Sequence, residues 1–314
     1  MVIEFRPSIN PTYLEQEIIS LSMGSHNNSN YLYPSVQGLL NSKSIDVAAL
    51  YENNELRSFA MIMERTWKVK QAELTAFSIG LVTTLLEYRS MGFASRLINE
   101  LSEYCRDCRG ASFIYLQGIN GFYTQLGFSG FAHKSKYIFE LGALRERKAK
   151  AKKAGMEDLS TVSNIYKQYA RLLEAHSERD ILLWRDLLGS LNKTFLFYEP
   201  LLVYDQDDKV CGYFCTSPES GHTIREFVPA LGEDCVDVML SYIKTMNEFS
   251  GENYLEIFSY YSFNNPVFNT ASRSYGADFC AYIRPNSSNM IKWLRPEFKQ
   301  DPNAFDFLFQ ADNL

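Results

Sequence analysis

Apolar residues recur along the chain with two different spacings, which predict its strands and helices. Apolar runs at residues 46–51, 56–65 and 72–84 predict three strands, and the first two flank an Asn-Asn pair that suits a tight hairpin turn. Over residues 92–106 the spacing becomes helical, which predicts an amphipathic helix with one face on a core. That face comprises Phe93, Leu97, Ile98, Leu101 and Cys105.

The remaining pattern predicts a mixed α/β unit in the first half, and the second half repeats its order. In the first half the other elements are strands at 2–5, 112–116 and 131–139 and helices at 7–23, 36–41 and around Tyr123. In the second half we expect helices at 158–174, 180–188 and 235–246, strands at 201–204, 210–216, 224–229 and 254–259, and a short helix through Phe268. A segment at 274–279 then corresponds to one at 125–128. This repetition indicates a diverged internal duplication.

Length and charge place the chain among globular proteins of one or two domains. It has 314 residues, of which 46% are hydrophobic and 22% charged. A basic run poor in core residues separates the halves, so we expect domains at 1–145 and 156–314, the second ending in a tail, with a linker at 146–155. The net charge of −6 gives no general reason to expect nucleic acid.

We expect a cytoplasmic protein with reduced thiols and without a metal site. The sequence has neither an apolar run for a membrane span nor a signal-peptide layout. Its six cysteines and four histidines are scattered. Cys105 and Cys108 form a single Cys-x-x-Cys pair with no second pair or neighbouring histidine, which is a weak pattern for zinc.

The stretch from Leu81 to Leu97 joins the third predicted strand to the amphipathic helix through a short polar turn. Gly92 lies in this turn, where backbone can approach a ligand closely, and Ala94 follows in the first helical turn. Backbone N–H groups at such a turn, with the positive end of the helix dipole behind them, favour a phosphate group. The residues fit neither the nucleotide P-loop nor the dinucleotide fingerprint.

Two motifs in this order resemble the GNAT superfamily of acyltransferases. Residues Arg89 to Ala94 are similar to the family's R/Q-x-x-G-x-G/A signature, and Gly121 to Phe128 are similar to its F-Y-x-x-L-G-F ending. The resemblance implies an α/β tandem GNAT fold, with mixed central sheets flanked by helices, and acetyl-CoA as cosubstrate. It also implies that the turn cradles the diphosphate and that the preceding strand pairs with the pantetheine arm. The implied cofactor-binding residues are Leu81, Val82, Thr83, Arg89, Ser90, Met91, Gly92, Phe93, Ala94 and Ser95.

By the same resemblance, Tyr123 occupies the position of the family's general acid. A phenol with an ordinary pKa of about 10 stays protonated at neutral pH and can give its proton to a departing thiolate. The alternative is a tyrosine that only packs beside Phe122 and Phe128. Many family members carry a general-base Glu near the position of Ala76, and Glu73 is displaced along the strand. We expect Glu73 to face solvent, so the base stays open.

The second half lacks a comparable turn, and the resemblance there is to a degenerate copy. Residues 229–234 contain one glycine and two carboxylates, Glu233 and Asp234, which would repel a diphosphate. This arrangement resembles the enhanced-intracellular-survival acetyltransferases, whose C-terminal carboxylate takes part in proton transfer. By that resemblance the carboxylate of Leu314, at the end of an apolar tail over 290–314, is a second candidate catalytic group.

The turn departs from the family's pattern at three positions. Leu86 stands where Pro is common, Met91 where Arg or Lys is common, and Phe93 where a smaller aliphatic residue is usual. A partly exposed ion pair contributes about 1 kcal/mol or less, so the missing cation at Met91 predicts modestly weaker binding of acetyl-CoA.

The sequence therefore predicts an acetyl-CoA-dependent N-acetyltransferase in which a primary amine attacks the thioester directly. The acidic chain favours a cationic acceptor, no membrane partner is expected, and a homo-oligomer is left open. Two alternatives remain. One is a non-catalytic acyl-CoA-binding or interaction protein on the same fold. The other is an aminoacyl or peptidyl transferase of tandem-GNAT type, for which the basic residues at 145–153 would be the tRNA surface.

Overall fold

The computed structural model describes residues 3–25, 32–69, 72–117, 121–173, 175–194, 197–217, 220–259, 263 and 265–285. None of the described helices is both long enough and apolar enough to cross a membrane.

The first half contains strands β1 (Ile3–Ile9), β2 (Asp46–Glu52), β3 (Glu55–Val69), β4 (Ala72–Thr84), β5 (Phe113–Gln117) and β6 (Ser129–Glu140), and helices α1 (Glu15–Ser25), α2 (Leu32–Leu40), α3 (Phe93–Asp107) and α4 (Phe122–Gln125). The second half contains β7 (Ala149–Lys153), β8 (Ala175–Ser177), β9 (Leu201–Asp205), β10 (Val210–Ser217), β11 (Ser220–Pro229), β12 (Tyr254–Ser259) and β13 (Ser272–Pro285), and helices α5 (Leu159–Ala170), α6 (Ile181–Leu188) and α7 (Cys235–Phe249).

The predicted hairpin and the amphipathic helix are both confirmed. Asn53 and Asn54, with φ angles of 53° and 67°, join β2 to β3 in the left-handed turn that suits asparagine. Helix α3 buries the predicted apolar face against one side of the first-half sheet. Full burial of each such side chain contributes about 1.5–3 kcal/mol, so this face fixes the position of α3.

A second apolar core lies on the other side of the sheet and continues through both halves. It contains Ile18 of α1, Leu39 of α2, Val162 of α5, Leu187 of α6 and Met239 of α7. All five side chains are fully buried. The two halves are therefore joined by shared packing as well as by the chain.

Within the described residues, the strands form one mixed sheet that is symmetric about its middle. The order is β1-β2-β3-β4-β5-β13-β6-β12-β11-β10-β9-β7, with β8 pairing β3 off this path. The parallel pair β4–β5 in the first half corresponds to the parallel pair β11–β12 in the second. Helix α3 follows β4, and α7 follows β11, which supports the predicted duplication.

The last described strand of each half pairs with the other half. Strand β13 lies between β5 and β6, and β6 lies between β13 and β12. Ala281 of β13 pairs with Gln117 of β5, and Tyr137 of β6 pairs with Ile257 of β12. Each half of the sheet is thus completed by a strand from the other half.

Residues 149–153, within the stretch expected to be a linker, form the edge strand β7 and pair with β9. The run Ala-Lys-Ala-Lys-Lys alternates, so Ala149 and Ala151 pack on the core while Lys150 and Lys152 are exposed. The high charge of this run concealed its strand periodicity. The proposed domain boundaries themselves stay a prediction.

The segment 274–279, expected to follow a short helix as 125–128 does, lies within strand β13 instead. A short 3-10 helix, Pro266–Thr270, precedes it and buries Phe268 as the apolar pattern predicted. The pairing of β13 with β6 shifts between Tyr275 and Cys280, so the glycine of this segment lies at an irregularity of the strand.

Candidate active site

The end of β4 contains a β-bulge that turns its backbone out of the regular ladder. Phe59 of β3 pairs with Thr83 and Met61 pairs with Gly80, so one residue of β3 faces two residues of β4, Leu81 and Val82. Leu81 has a φ angle of 47°, which is rare for a residue with a branched side chain. Such a backbone conformation costs about 1–3 kcal/mol and is concentrated at functional sites. The Thr83 hydroxyl donates a hydrogen bond to the Leu81 carbonyl at 3.1 Å.

The parallel pairing of β4 with β5 ends just before this bulge. It runs from Ala76–Phe113 to Ile79–Leu116, whereas β4 continues to Thr84. Strand β5 ends at Gln117, which pairs on its other side with β13. Among the described residues, β4 therefore extends past its last pair with β5, and an extended ligand arm could pair with the β4 backbone there.

After β4 the chain makes a tight turn that leads into the start of α3. A 3-10 turn at Leu86–Tyr88 is followed by Ser90 with φ 62° and by Gly92, the N-cap residue, with φ 86°. Among the described residues, no side chain caps the N-terminus of α3. A methyl group added at Gly92 would meet nothing within 4 Å, so the surface above the turn is open. Open, uncapped N–H groups at a helix start suit an anionic group such as a diphosphate.

Four of the predicted cofactor-binding residues lie on the outer surface of this turn, and the next three lie deeper. Arg89, Ser90, Met91 and Gly92 are exposed. Phe93 points inward and is buried in the core under α3. Ala94 and Ser95 are partly buried in the first helical turn.

Tyr123 lies in α4, between two glycines with left-handed backbone. Gly121, the N-cap residue, has φ 96°, and Gly127 has φ 83°. The Tyr123 ring packs edge-on against Phe122 and Phe128, with centroid distances of 5.0 and 5.8 Å. Its carbonyl accepts hydrogen bonds from the N–H groups of Leu126 and Phe128. The tight return of the chain therefore holds the tyrosine in place.

Burial raises the pKa of the Tyr123 phenol from 10.0 to about 12. The phenol keeps its proton throughout the neutral range, as a general acid requires. A proton donor with a pKa this high is also a weak acid, so its contribution lies in being held near its acceptor rather than in acid strength.

The structure brings three parts of the predicted site onto one core. Val82 from the bulge and Tyr123 from α4 both pack against the apolar cluster that contains Phe93 at the start of α3. Leu81, the neighbour of Val82, packs on the opposite core. Val82, the start of α3 and Tyr123 therefore lie on the same side of the first-half sheet.

The structure describes the two positions considered for the general base but does not describe the terminal carboxylate. Ala76 is fully buried, and Glu73 is exposed and ion-paired with Lys68, directly across the β3–β4 pair. Glu73 thus lies near the start of β4, at the end opposite the bulge. Leu314 and the tail at 290–314 lie outside the described residues.

Sequence reasoning missed two features of this region. The first is the bulge, although Gly80, an isolated glycine inside a strand pattern, was a signal for it. The second is a contact between the β2–β3 hairpin and the turn, in which Arg57 lies over the ring of Tyr88 at 4.4 Å. No local pattern connects those two residues.

The order of the sheet and its two parallel strand pairs indicate the fold class, and comparison with known proteins agrees. The symmetric sheet, with one parallel pair in each half followed or preceded by a helix, is that of a tandem GNAT fold. Residues 16–131 match the acetyltransferase (GNAT) domain family. Residues 16–131 are therefore similar to a GNAT domain, and the second half repeats the order of its strands and helices. No curated protein matches the sequence.

Solved structures share this fold across nearly the whole chain at low identity. A GCN5-related N-acetyltransferase from Anabaena variabilis ATCC 29413 has a TM-score of 0.68 and 15% identity, covering 91% of this chain and 73% of that one. A probable N-acyltransferase from Enterococcus faecalis V583 has a TM-score of 0.68 and 14% identity, covering 90% and 72%. Eis1 from Mycobacterium abscessus has a TM-score of 0.63 and 13% identity, covering 94% and 76%. At these identities the likeness concerns the fold.

Proposed function

We propose that the protein is an acetyl-CoA-dependent N-acetyltransferase that transfers an acetyl group to a primary amine by direct attack. The observation that carries this proposal is the position of the Leu81 bulge. It lies between the end of the β4–β5 pairing and the uncapped start of α3. An acyl-CoA would meet these features in turn, with its diphosphate at the start of α3, its pantetheine arm along the end of β4 and its thioester beside the bulge.

The diphosphate would be held by the turn between Ser90 and Ser95. Backbone N–H groups and the α3 dipole supply hydrogen bonds and positive potential, and the exposed Arg89 adds a full charge. Met91 is 61% exposed and carries no charge. We therefore expect acetyl-CoA to bind through backbone groups more than through side-chain cations.

The thioester would lie beside the bulge at Leu81 and Val82. There a backbone N–H that no longer belongs to the β3–β4 ladder could donate to the thioester carbonyl and to the oxyanion that forms from it. Donors held in place by a folded strand need no reorganisation during the reaction. Removing one such donor in other enzymes costs about 100- to 1,000-fold in rate.

Tyr123 would act as the general acid. The neutral amine attacks the carbonyl carbon, the tetrahedral intermediate collapses with cleavage of the C–S bond, and the phenol gives its proton to the sulfur. The nitrogen loses a proton to a base. General acid catalysis of this kind contributes about 100- to 10,000-fold, and the high pKa of Tyr123 places it at the lower end.

The ion pairs of the basic segment at 145–153 argue against the alternative of a tRNA-dependent transferase. Carboxylates already accompany the cations there, so the segment presents little net positive potential. The pairs are Arg147–Asp234 at 3.3 Å, Lys152–Asp158 at 2.7 Å, Lys153–Glu199 at 2.9 Å, and Lys150 with Asp208. An acidic chain still favours a cationic amine as acceptor.

The deciding experiment combines acetyl-CoA binding with acetyl transfer to a panel of amines. Wild type should bind acetyl-CoA in calorimetry and release CoA thiol when an accepted amine is present. Tyr123→Phe should bind equally well and lose turnover at least tenfold. Tyr204→Phe, a partly buried tyrosine of β9 in the second half, is the matched control and should behave as wild type.

Each other outcome rejects a defined part of the proposal. Absence of acetyl-CoA binding by wild type would reject the function altogether. Binding without transfer to any amine would favour the non-catalytic acyl-CoA-binding protein. Full turnover by Tyr123→Phe would remove the tyrosine as the acid and leave the rest intact.

A further inference from the structure

The β2–β3 hairpin contacts the turn before α3 through three side chains, Glu52, Arg57 and Tyr88, which we call the hairpin stack. The Arg57 guanidinium lies over the Tyr88 ring, with its central carbon 4.4 Å from the ring centroid. Arg57 Nε is 3.7 Å from Glu52 Oε2. The side chains of Arg57 and Glu52 are only 12% and 7% exposed, so this cation and its partner are largely withdrawn from water.

The hairpin stack contacts the turn at both of its ends, through Tyr88 and through the backbone of Arg57. Tyr88 accepts, at its carbonyl oxygen, a hydrogen bond from the Met91 N–H at 3.4 Å. Its ring meets Phe93, the first residue of α3, edge-on at 5.2 Å. On the entry side, the Arg57 carbonyl accepts a hydrogen bond from the Leu85 N–H at 2.9 Å. The hairpin therefore holds the chain where it leaves β4 and where α3 begins.

The charge of Arg57 is already matched within the hairpin. Glu52 and Glu55 both form ion pairs with its guanidinium. Burial is the main cause that raises the pKa of Tyr88, and the Glu52 carboxylate adds to the shift while Arg57 opposes it. Because two carboxylates accompany Arg57, it suits a role in holding Tyr88 better than a role in binding phosphate directly.

The turn itself lies at the surface of the protein. Ser90, Met91 and Gly92 are exposed, and Ser90 and Gly92 hold left-handed backbone. Backbone N–H donors bind an anion strongly only when they are held in place before the ligand arrives. The hairpin stack is the buried polar contact that could hold them.

We propose that Arg57, held by Glu52 and stacked on Tyr88, is a positioning residue that sets acyl-CoA affinity by holding the diphosphate-binding turn. This inference rests on the proposed function. Arg57 acts through Tyr88 and does not touch the ligand. A planar guanidinium stacks on an aromatic ring in a way that a lysine ammonium does not reproduce, so the role requires arginine.

The test compares two acyl donors that differ in the diphosphate. Arg57→Lys and Arg57→Ala should weaken acetyl-CoA binding, and lower kcat/KM for it, about five- to tenfold. Acetyl-pantetheine lacks the diphosphate, so its kcat/KM as a donor should stay within about twofold of wild type. Tyr88→Leu should behave as Arg57→Ala, whereas Tyr88→Phe, which keeps the ring, should retain most of the affinity.

Arg6→Lys is the matched control. Arg6 also lies over a tyrosine ring, Tyr51 at 4.2 Å, and pairs with a glutamate, Glu4 at 2.8 Å. Tyr51 belongs to the core on the opposite side of the sheet from the turn. Arg6→Lys should leave the affinity for acetyl-CoA unchanged, and thermal melting of all variants should show that each is folded.

Two results would overturn the inference while the proposed function stands. One is wild-type affinity for acetyl-CoA in both Arg57 variants. The other is an equal loss with acetyl-CoA and acetyl-pantetheine, which would indicate general damage to the fold. If wild type binds no acetyl-CoA at all, the proposed function fails first and this inference falls with it.

Discussion

Arg179 and Glu226 form a bidentate ion pair in the second half from which solvent is excluded. Nη1 and Nη2 of Arg179 donate to Oε1 and Oε2 of Glu226 at 2.9 and 3.1 Å, and the side chains are 0% and 1% exposed. The Tyr213 hydroxyl donates to Glu226 Oε1 at 2.6 Å, and the guanidinium lies over Tyr166 at 4.2 Å. This network joins β10, β11, α5 and the segment before α6 within the second half.

Removing only the carboxylate of this pair should destabilise the protein strongly. Glu226→Leu leaves the Arg179 guanidinium buried without its counter-charge, and we expect a loss of about 3–5 kcal/mol in the free energy of unfolding. Urea unfolding measures it. The double variant Arg179→Met with Glu226→Leu should recover a large part of the loss, because no charge then stays buried. Equal losses in the single and double variants would contradict this account.

Asp186 of α6 ties the second half to the segment before β2. Its Oδ2 accepts hydrogen bonds from the hydroxyl groups of Ser42 and Ser44, both at 2.7 Å, and from the N–H groups of Lys43 and Ser44 at 3.0 and 2.9 Å. Asp186→Ala should cost about 1–3 kcal/mol in urea unfolding, because the partly buried donors lose their acceptor.

Asp207→Ala, in the exposed β9–β10 turn, is the control and should change stability by less than about 0.5 kcal/mol. A loss of the same size in both variants would mean that the contacts of Asp186 carry no special weight.

Gly92→Ala tests whether the turn needs a left-handed residue. The added methyl group meets no atom within 4 Å, but the φ angle of 86° disfavours alanine by about 1–2 kcal/mol. We expect acetyl-CoA affinity to fall about tenfold, as measured by calorimetry, because the donors of the turn shift.

Gly110→Ala has the same kind of backbone, with φ 64° and open space, but lies beyond the C-terminal end of α3. It should cost similar stability and leave acetyl-CoA affinity intact. Equal affinity losses in both glycine variants would point to α3 as a whole rather than to the turn.

The high pKa of Tyr123 predicts a loss of stability in alkali. The folded phenol titrates at about 12 and the unfolded one at 10.0, so the contribution is complete below pH 10. As the pH rises from 10 toward 12, only the unfolded state ionises, and stability falls. Urea unfolding across this range should show a steeper decline for wild type than for Tyr123→Phe. An equal decline in the free energy of unfolding for wild type and Tyr123→Phe would indicate that the phenol is exposed to water in the folded protein.

Local features of the fold followed from local sequence. The hairpin at Asn53-Asn54 and the buried face of α3 could be predicted, because each depends on a turn residue or on spacing within one element. The first-half motifs also led to the turn and to Tyr123. In β7, alternation was present, but its lysines concealed it.

Features that join distant segments could not be predicted from one sequence. The place of β13 between β5 and β6 depends on which edge each strand meets, and no residue of β13 encodes that choice locally. The contact of Arg57 with Tyr88 likewise arises only when the hairpin meets the turn. The bulge could be predicted only in part, because Gly80 indicated an irregularity in the strand but not that two residues of β4 would face one of β3.

The insertion of β13 beside β5 also determines when the chain can finish folding. During synthesis, β4, α3 and β5 emerge early, yet the neighbour of β5 is among the last described strands to leave the ribosome. Until then the edge of β5 stays open to pairing with other chains, and closing the sheet requires contacts between residues far apart in sequence. The half that carries the candidate active site therefore becomes complete only after β13, the last described strand, has been made.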